Sequence, residues 1–217
     1  MSEKITVKGI GTASTKPDCV ILSLALEARD PDYTKAMDKA GANIEQLTDT
    51  FVSAGFAKED LKTTNFDVGT DYENQQDGER YKNVFVGYVV RHDLKLSFDF
   101  TPERLAEALS VVSSCTANPE VSVSFTVKDP SDIHEELLRS AAANARRKAE
   151  VLCSAAGTKL GKLKEINYNW GELDVYSGTR YDNSYVCMSA GPKARAVGFE
   201  PDDIKSQDTV TFVWEMD

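Results

Sequence analysis

Two histidines, four cysteines and 35 carboxylates are the groups in this chain whose types can do chemistry, and their spacing decides whether they act together. His134 stands beside Asp132, Glu135 and Glu136 in the expected first turn of a helix, where a solvated imidazole is the plain reading. His92 falls on the apolar face of an expected strand, which predicts a buried, hydrogen-bonded histidine instead of a catalytic base. Cys19, Cys115, Cys153 and Cys187 are widely separated and form no C-x-x-C pair, so neither a zinc site nor a thioredoxin-like motif is indicated. Cys153, among Val151, Leu152, Ala155 and Ala156, reads as a small buried hydrophobe. A thiol redox protein would use Cys19 or Cys187, yet neither has an electropositive neighbour in sequence. Disulfides are expected only if the chain meets an oxidising compartment.

Other motifs lead no further. Gly9-Ile10-Gly11 follows a strand but runs to Pro17 and another strand, so no helix N-terminus is there to receive a pyrophosphate, and turn or bulge glycines are expected. Glu135-Glu136 and Asp202-Asp203 are acidic pairs of the kind that an acid-rich chain shows by chance. No nucleophile elbow, H-E-x-x-H helix or phosphate-binding loop occurs. The expectation is therefore no catalytic, cofactor-binding or metal-ligating residue. The long segment Gly171 to Gln207, rich in Gly, Ser, Asn, Asp and Tyr, is expected first as a flexible flap, with a contact surface as the alternative reading. That surface would use Tyr176, Tyr181 and Tyr185 with the basic pair Lys193 and Arg195.

Stepping from these groups to the elements that hold them, the chain repeats itself. Asp30-Pro31 opens an amphipathic run ending at Gly55, and Asp129-Pro130 opens another ending at Gly157. Leu61-Lys62 and Asn65-Phe66-Asp67 then match Leu163-Lys164 and Asn167-Tyr168-Asn169. The pattern predicts an α+β protein: duplicated β-α-β-β units forming antiparallel sheets, covered on one face by two long helices, with one shorter helix besides. The first subdomain is expected over residues 1–100 and the second over 101–217, with the loop 171–207.

Periodicity supplies the detail. Strands are expected over Ile5 to Gly11, Cys19 to Ala28, Lys62 to Tyr72 and Val84 to Phe100, with Glu73 to Arg80 a hairpin loop and a bend near His92. Asp30 is the expected cap of the first helix, whose stripe is Tyr33, Met37, Ala40, Ile44, Leu47 and Phe51. Thr101-Pro102-Glu103 starts the short helix, and Val121 to Val127 alternates as a strand. The second long helix faces inward with Ile133, Leu137, Ala141, Ala145, Ala149 and Leu152. Leu163 to Trp170 and Thr209 to Met216 are the last strands.

Composition narrows the partners. A formal net charge of -10 argues against nucleic acid, whose affinity rests on displaced counterions. No stretch is long and apolar enough for a membrane span, since Arg91, His92, Asp93 and Lys95 interrupt the richest one. Met1-Ser2-Glu3-Lys4 leads directly into a strand without an export signal, so a cytoplasmic location is expected, or a periplasmic or extracellular one if a leader has been removed.

Assembled, these residues resemble the SIMPL domain family of bacterial proteins, a group that includes periplasmic immunogenic proteins. The resemblance rests on Ile5-Thr6-Val7-Lys8-Gly9 with Gly11, Pro17-Asp18, the strand to Glu27, Gly55, Leu61-Lys62-Thr63 and Gly87-Tyr88. Farther on it rests on Ala145-x-x-Lys148-Ala149 within 142–156, Gly157-x-x-x-Gly161, and Val210-x-Phe212-x-Trp214. It implies an α+β fold, self-association and links to the envelope and stress tolerance, and it brings no catalytic residue or cofactor. The chain departs from the family pattern at Pro201-Asp202-Asp203, where a Pro-Gly turn often precedes the last strand, and in lacking the common export signal. The expected function is a non-enzymatic scaffold or interaction protein forming a homo-oligomer. The alternative is a small-ligand or peptide-binding module that uses a cleft between the copies and the 171–207 loop.

Overall fold

A computed structural model describes residues 3–77, 80–169, 171, 173, 175–183 and 200–217. The described chain is α+β, with strands β1 (Glu3–Thr15), β2 (Cys19–Asp30), β3 (Leu61–Asp77), β4 (Arg80–Asp99), β5 (Glu120–Thr126), β6 (Leu160–Asn167), β7 (Tyr176–Asn183) and β8 (Ile204–Met216). The helices are α1 (Tyr33–Ser53), α2 (Pro102–Ser114) and α3 (Ser131–Ala155). Two sheets form, a three-stranded one in the order β1-β8-β6 and a five-stranded one in the order β3-β4-β2-β5-β7.

Close contacts group the chain into two units whose borders differ from the expected split at residue 100. One unit holds residues 1–17, 126–178 and 201–217, the other 18–125 and 179–200. Strand β5 is the reason, because it joins the five-stranded sheet beside β2 while β1 lies beside β8. Its alternation turns Val121, Val123 and Phe125 into the larger core, which explains where it goes.

That larger core is built from bulk. Leu22, Leu24, Leu47, Phe51, Leu96, Leu105 and Phe125 are fully buried, and Phe51 meets Phe56 edge to face at 5.4 Å. The start of α1 corrects the expected cap: Asp32, not Asp30, takes the N-cap position, and its carboxylate accepts from the Lys35 N–H. Asp30 instead accepts from the Asp32 N–H and pairs with Lys39 at 2.6 Å, and these bonds hold its carboxyl below the usual range, the Lys39 bond most of all. Helix α2 caps as expected, with Thr101 Oγ1 accepting from the Arg104 N–H. Arg104 then donates to the Gly55 carbonyl at 2.8 Å and lies 3.6 Å over the Phe56 ring, satisfying the end of α1.

The smaller unit is built from closeness. Ala141, Ala145 and Ala149 of α3 are fully buried, and together with Val7, Val210, Phe212 and Trp214 they form its core. Gly9 and Gly11 are neither turn nor bulge glycines. They sit within β1, where a Cβ on either would run into a backbone carbonyl of α3, that of Ala141 or of Leu137. At the end of α3, Cys153 is the inward residue and Leu152 is exposed, so the expected stripe slips by one position after Ala149.

Strands run longer than their alternation predicts. β3 and β4 continue into the expected Glu73 to Arg80 loop, and β8 begins at Ile204. Part of the expected 171–207 loop is strand β7. Near His92, where a bend or bulge is expected, a register shift falls in the partner strand, between Thr63 and Asn65 opposite Leu94 and Asp93. A second lies between Asp71 and Tyr72, beside Gly87. Gly87 packs under the chain as it leaves β2, with room for no Cβ, since one would stand 2.6 Å from the Asp30 carbonyl oxygen.

Candidate interaction surface

Strand β2 pairs with β4 only as far as Asp30 opposite Tyr88, whereas β3 and β4 go on pairing from Asp71 and Gly87 out to Asp77 and Arg80. Beyond β2 the hairpin is therefore a two-stranded arm. An isolated ribbon of this kind is marginal in water, so its own side chains must hold it. Aromatic rings supply that support in a chain of edge-to-face contacts: Tyr72 to Phe85 at 5.7 Å, Phe85 to Tyr88 at 5.3 Å, and Tyr88 to Tyr33 of α1 at 5.4 Å. Each such pair contributes about 0.5–1.5 kcal/mol beyond burial. The rings remain largely open to solvent, with Tyr72 54%, Phe85 43% and Tyr81, nearer the tip, 73% exposed.

The base of the arm is fixed by charge on the opposite face of the sheet. Glu27 accepts from Arg29 at 2.6 Å and from Arg91 at 3.2 Å, while Arg29 also reaches Asp71. The Arg29 bond is the main reason the Glu27 carboxyl titrates below its ordinary value, and the same bond raises Arg29. These groups are substantially exposed, so the network positions β2, β3 and β4 without adding much stability.

The residues singled out from the sequence are dispersed. Tyr176 and Tyr181 lie on β7; the first is exposed, while the second packs against the large core. Tyr185, Lys193, Arg195 and Cys187 fall outside the described residues. Cys19, Cys115 and Cys153 are buried thiols. His92 is half-buried; its Nε2 lies 2.8 Å from Thr63 Oγ1, its ring meets Phe66 edge to face at 5.1 Å, and its Nδ1 is buried without a partner among the described residues. Burial pushes its pKa below the ordinary value, against a weaker opposing pull from Asp93. Among the described residues no three His, Cys, Asp or Glu side chains converge as metal ligands would.

Sequence reading missed the arm because Glu73 to Arg80 is a polar run without clear alternation. The available signal was Tyr72 and Tyr81 flanking that run, with Phe85 four residues on.

A further exposed apolar site lies in the three-stranded unit. A groove of about 340 Å³ runs between α3 and edge strand β6, walled by Ala142, Arg146 and Glu150 on one side and by Leu160 and Leu163 on the other. Its floor is Phe212 stacked on Trp214, 5.4 Å between centroids.

No described helix is long and apolar enough to cross a membrane. The chain is 27% identical over 168 residues to a 26 kDa periplasmic immunogenic protein of Brucella abortus (strain S19), covering 76% of this chain and 66% of the relative. It is 26% identical over the same length to the protein of that description from Brucella melitensis biotype 1. The match thus spans just under two thirds of either relative. A family model described as SIMPL, protein of unknown function (DUF541), matches residues 5–214, and the chain belongs to that family.

Proposed function

We propose that the protein is a non-enzymatic interaction protein of the bacterial envelope that assembles with copies of itself through the β3–β4 arm. The observation carrying this reading is the aromatic arm, which exposes Tyr72, Tyr81 and Phe85 on a ribbon that extends past its own sheet. Tyrosine and phenylalanine are enriched at protein interfaces, and an extended ribbon with unpaired edges gains most by meeting another chain.

A periplasmic location is part of the proposal. It rests on the description of the two Brucella relatives and is checked by osmotic-shock fractionation of the native cell. Duplication of the chain belongs to it as well, because the order β3-β4-β2 with α1 packed on β2 and β4 matches β6-β8-β1 with α3 packed on β1 and β8.

Light scattering after size exclusion tests assembly directly. The expected mass is a discrete multiple of 23.9 kDa, returning to the single-chain value when Tyr72, Tyr81 and Phe85 are all changed to serine with the circular dichroism unchanged. A wild-type mass equal to one chain at high micromolar concentration overturns the reading.

A further inference from the structure

Strand β6 breaks its own alternation in a directed way. Leu160, Leu163 and Ile166 are spaced three apart, a period that in a regular strand would send Leu163 to the face opposite the other two. Register shifts between Leu160 and Leu163 and between Leu163 and Glu165 each insert one residue. As a result the three pair with Met216, Trp214 and Phe212, and all face the α3 side. Side chains turned inward by two bulges would ordinarily be buried, yet Leu163 is 47% and Ile166 54% exposed. Helix α3 packs chiefly on β1 and β8 and leaves them uncovered. Leu138, one helical turn before the groove-lining Ala142, is likewise exposed.

The surroundings differ in charge from the rest of the molecule. Around the groove Arg146, Arg147, Lys148, Lys159, Lys162 and Lys164 outnumber the acids Glu150, Glu165, Glu215 and Asp217, within a protein of net charge -10. Glu150 is engaged by Arg146 at 3.0 Å, and Lys164 by Glu215 at 2.7 Å. Among the described residues Arg147, Lys159 and Lys162 have no ion pair. A local positive field around an apolar slot selects a partner combining apolar side chains with carboxylates. β6 is also the last strand of its sheet, and the Leu163 to Asn167 stretch presents an unpaired backbone edge among the described residues.

We infer that the α3–β6 groove binds an extended peptide segment of a partner protein in which apolar and acidic residues alternate. Its apolar side chains would fill the slot over Phe212 and Trp214, and its carboxylates, on the other face of the added strand, would meet the lysines of β6. The backbone edge argues for a peptide over an acyl chain, which has no use for hydrogen-bonding groups.

The test uses the purified full chain and a fluorescein-labelled Glu-Leu-Glu-Val-Glu-Leu peptide, followed by anisotropy and by amide chemical shifts. The expected results are saturable binding that weakens as salt rises, shifts concentrated on β6 and the groove side of α3, and affinity at least about tenfold above that of the lysine-for-glutamate counterpart. Leu163→Glu should weaken binding by about tenfold or more, and Ile166→Ser should weaken it less. Both positions are exposed, so both variants keep the wild-type circular dichroism. The serine triple variant of the arm should bind the peptide as the wild type does, which separates this site from self-association. Equal binding of the two peptides, unchanged affinity in Leu163→Glu, no saturation by about 1 mM, or displacement of the peptide by palmitate overturns the inference.

Discussion

Helices α1 and α3 both lie on antiparallel sheets, but the means of attachment differ. α1 presses Leu47 and Phe51 into a core of leucines, valines and phenylalanines, where stability follows from apolar area removed from water. At the centre of its buried stripe α3 presents Ala141, Ala145 and Ala149, and β1 answers with Gly9 and Gly11, so stability there follows from how near two backbones come. A core of bulk tolerates conservative exchange among large residues, whereas a core of closeness tolerates almost no added atom.

Substitutions in each unit test the two modes of attachment. Phe51→Ala should have the largest effect, lowering stability by about 3–5 kcal/mol in urea unfolding, because a fully enclosed ring leaves a cavity. Gly9→Val comes next, at about 3 kcal/mol, since its Cβ alone would run into the Ala141 carbonyl oxygen and stand 2.8 Å from Ala145 Cβ, and neither can retreat along a packed helix. If Gly9→Val unfolds like the wild type, followed by the emission of Trp214 in the same unit, the account of closeness fails. Asp32→Ala should cost about 1 kcal/mol by removing the carboxylate that caps α1. No matching loss is expected at Pro130, which makes no side-chain cap for α3.

The smallest effect concerns His92 in the large unit. Its folded pKa is depressed by burial, so the unfolded chain binds the proton more readily. The corresponding stability is fully present above the ordinary value of 6.5 and is lost as pH falls through the lower folded value. His92→Gln should flatten the unfolding midpoint between neutral and mildly acidic pH relative to wild type. An unchanged pH slope would show that the ring is not held neutral by its surroundings.

Local chemistry made much of this fold legible. Thr101-Pro102 announced α2, Gly55 the end of α1, and the alternation of β5 and β8 their inward residues. What stayed hidden depends on residues distant in sequence. Nothing near Gly9 says that a helix over 130 residues later will press on it, and nothing in β5 says that its neighbour is β2. The slip from Leu152 to Cys153 arises because the buried stripe keeps its four-residue spacing from Ile133 to the end of the helix, where 3.6 residues per turn led to an expected final step of three. The arm was faint for another reason: its aromatic rings face water, so Tyr72, Tyr81 and Phe85 mark the polar run without a periodic signature. Expected contact residues Tyr176 and Tyr181 were separated by strand alternation, which sends one outward and packs the other on the core.

The pairing of β1 with β8 joins Glu3 to Met216 and Thr15 to Ile204. A ribosome adding about 5–20 residues per second therefore releases β1 roughly 10–40 s before its partner strand exists. During that interval the strands of the large core and both of their helices are made, while β1 has no partner strand to pair with. The three-stranded unit is thus the later of the two to close, and a nascent chain halted before Ile204 leaves β1 unpaired and available to whatever meets it first.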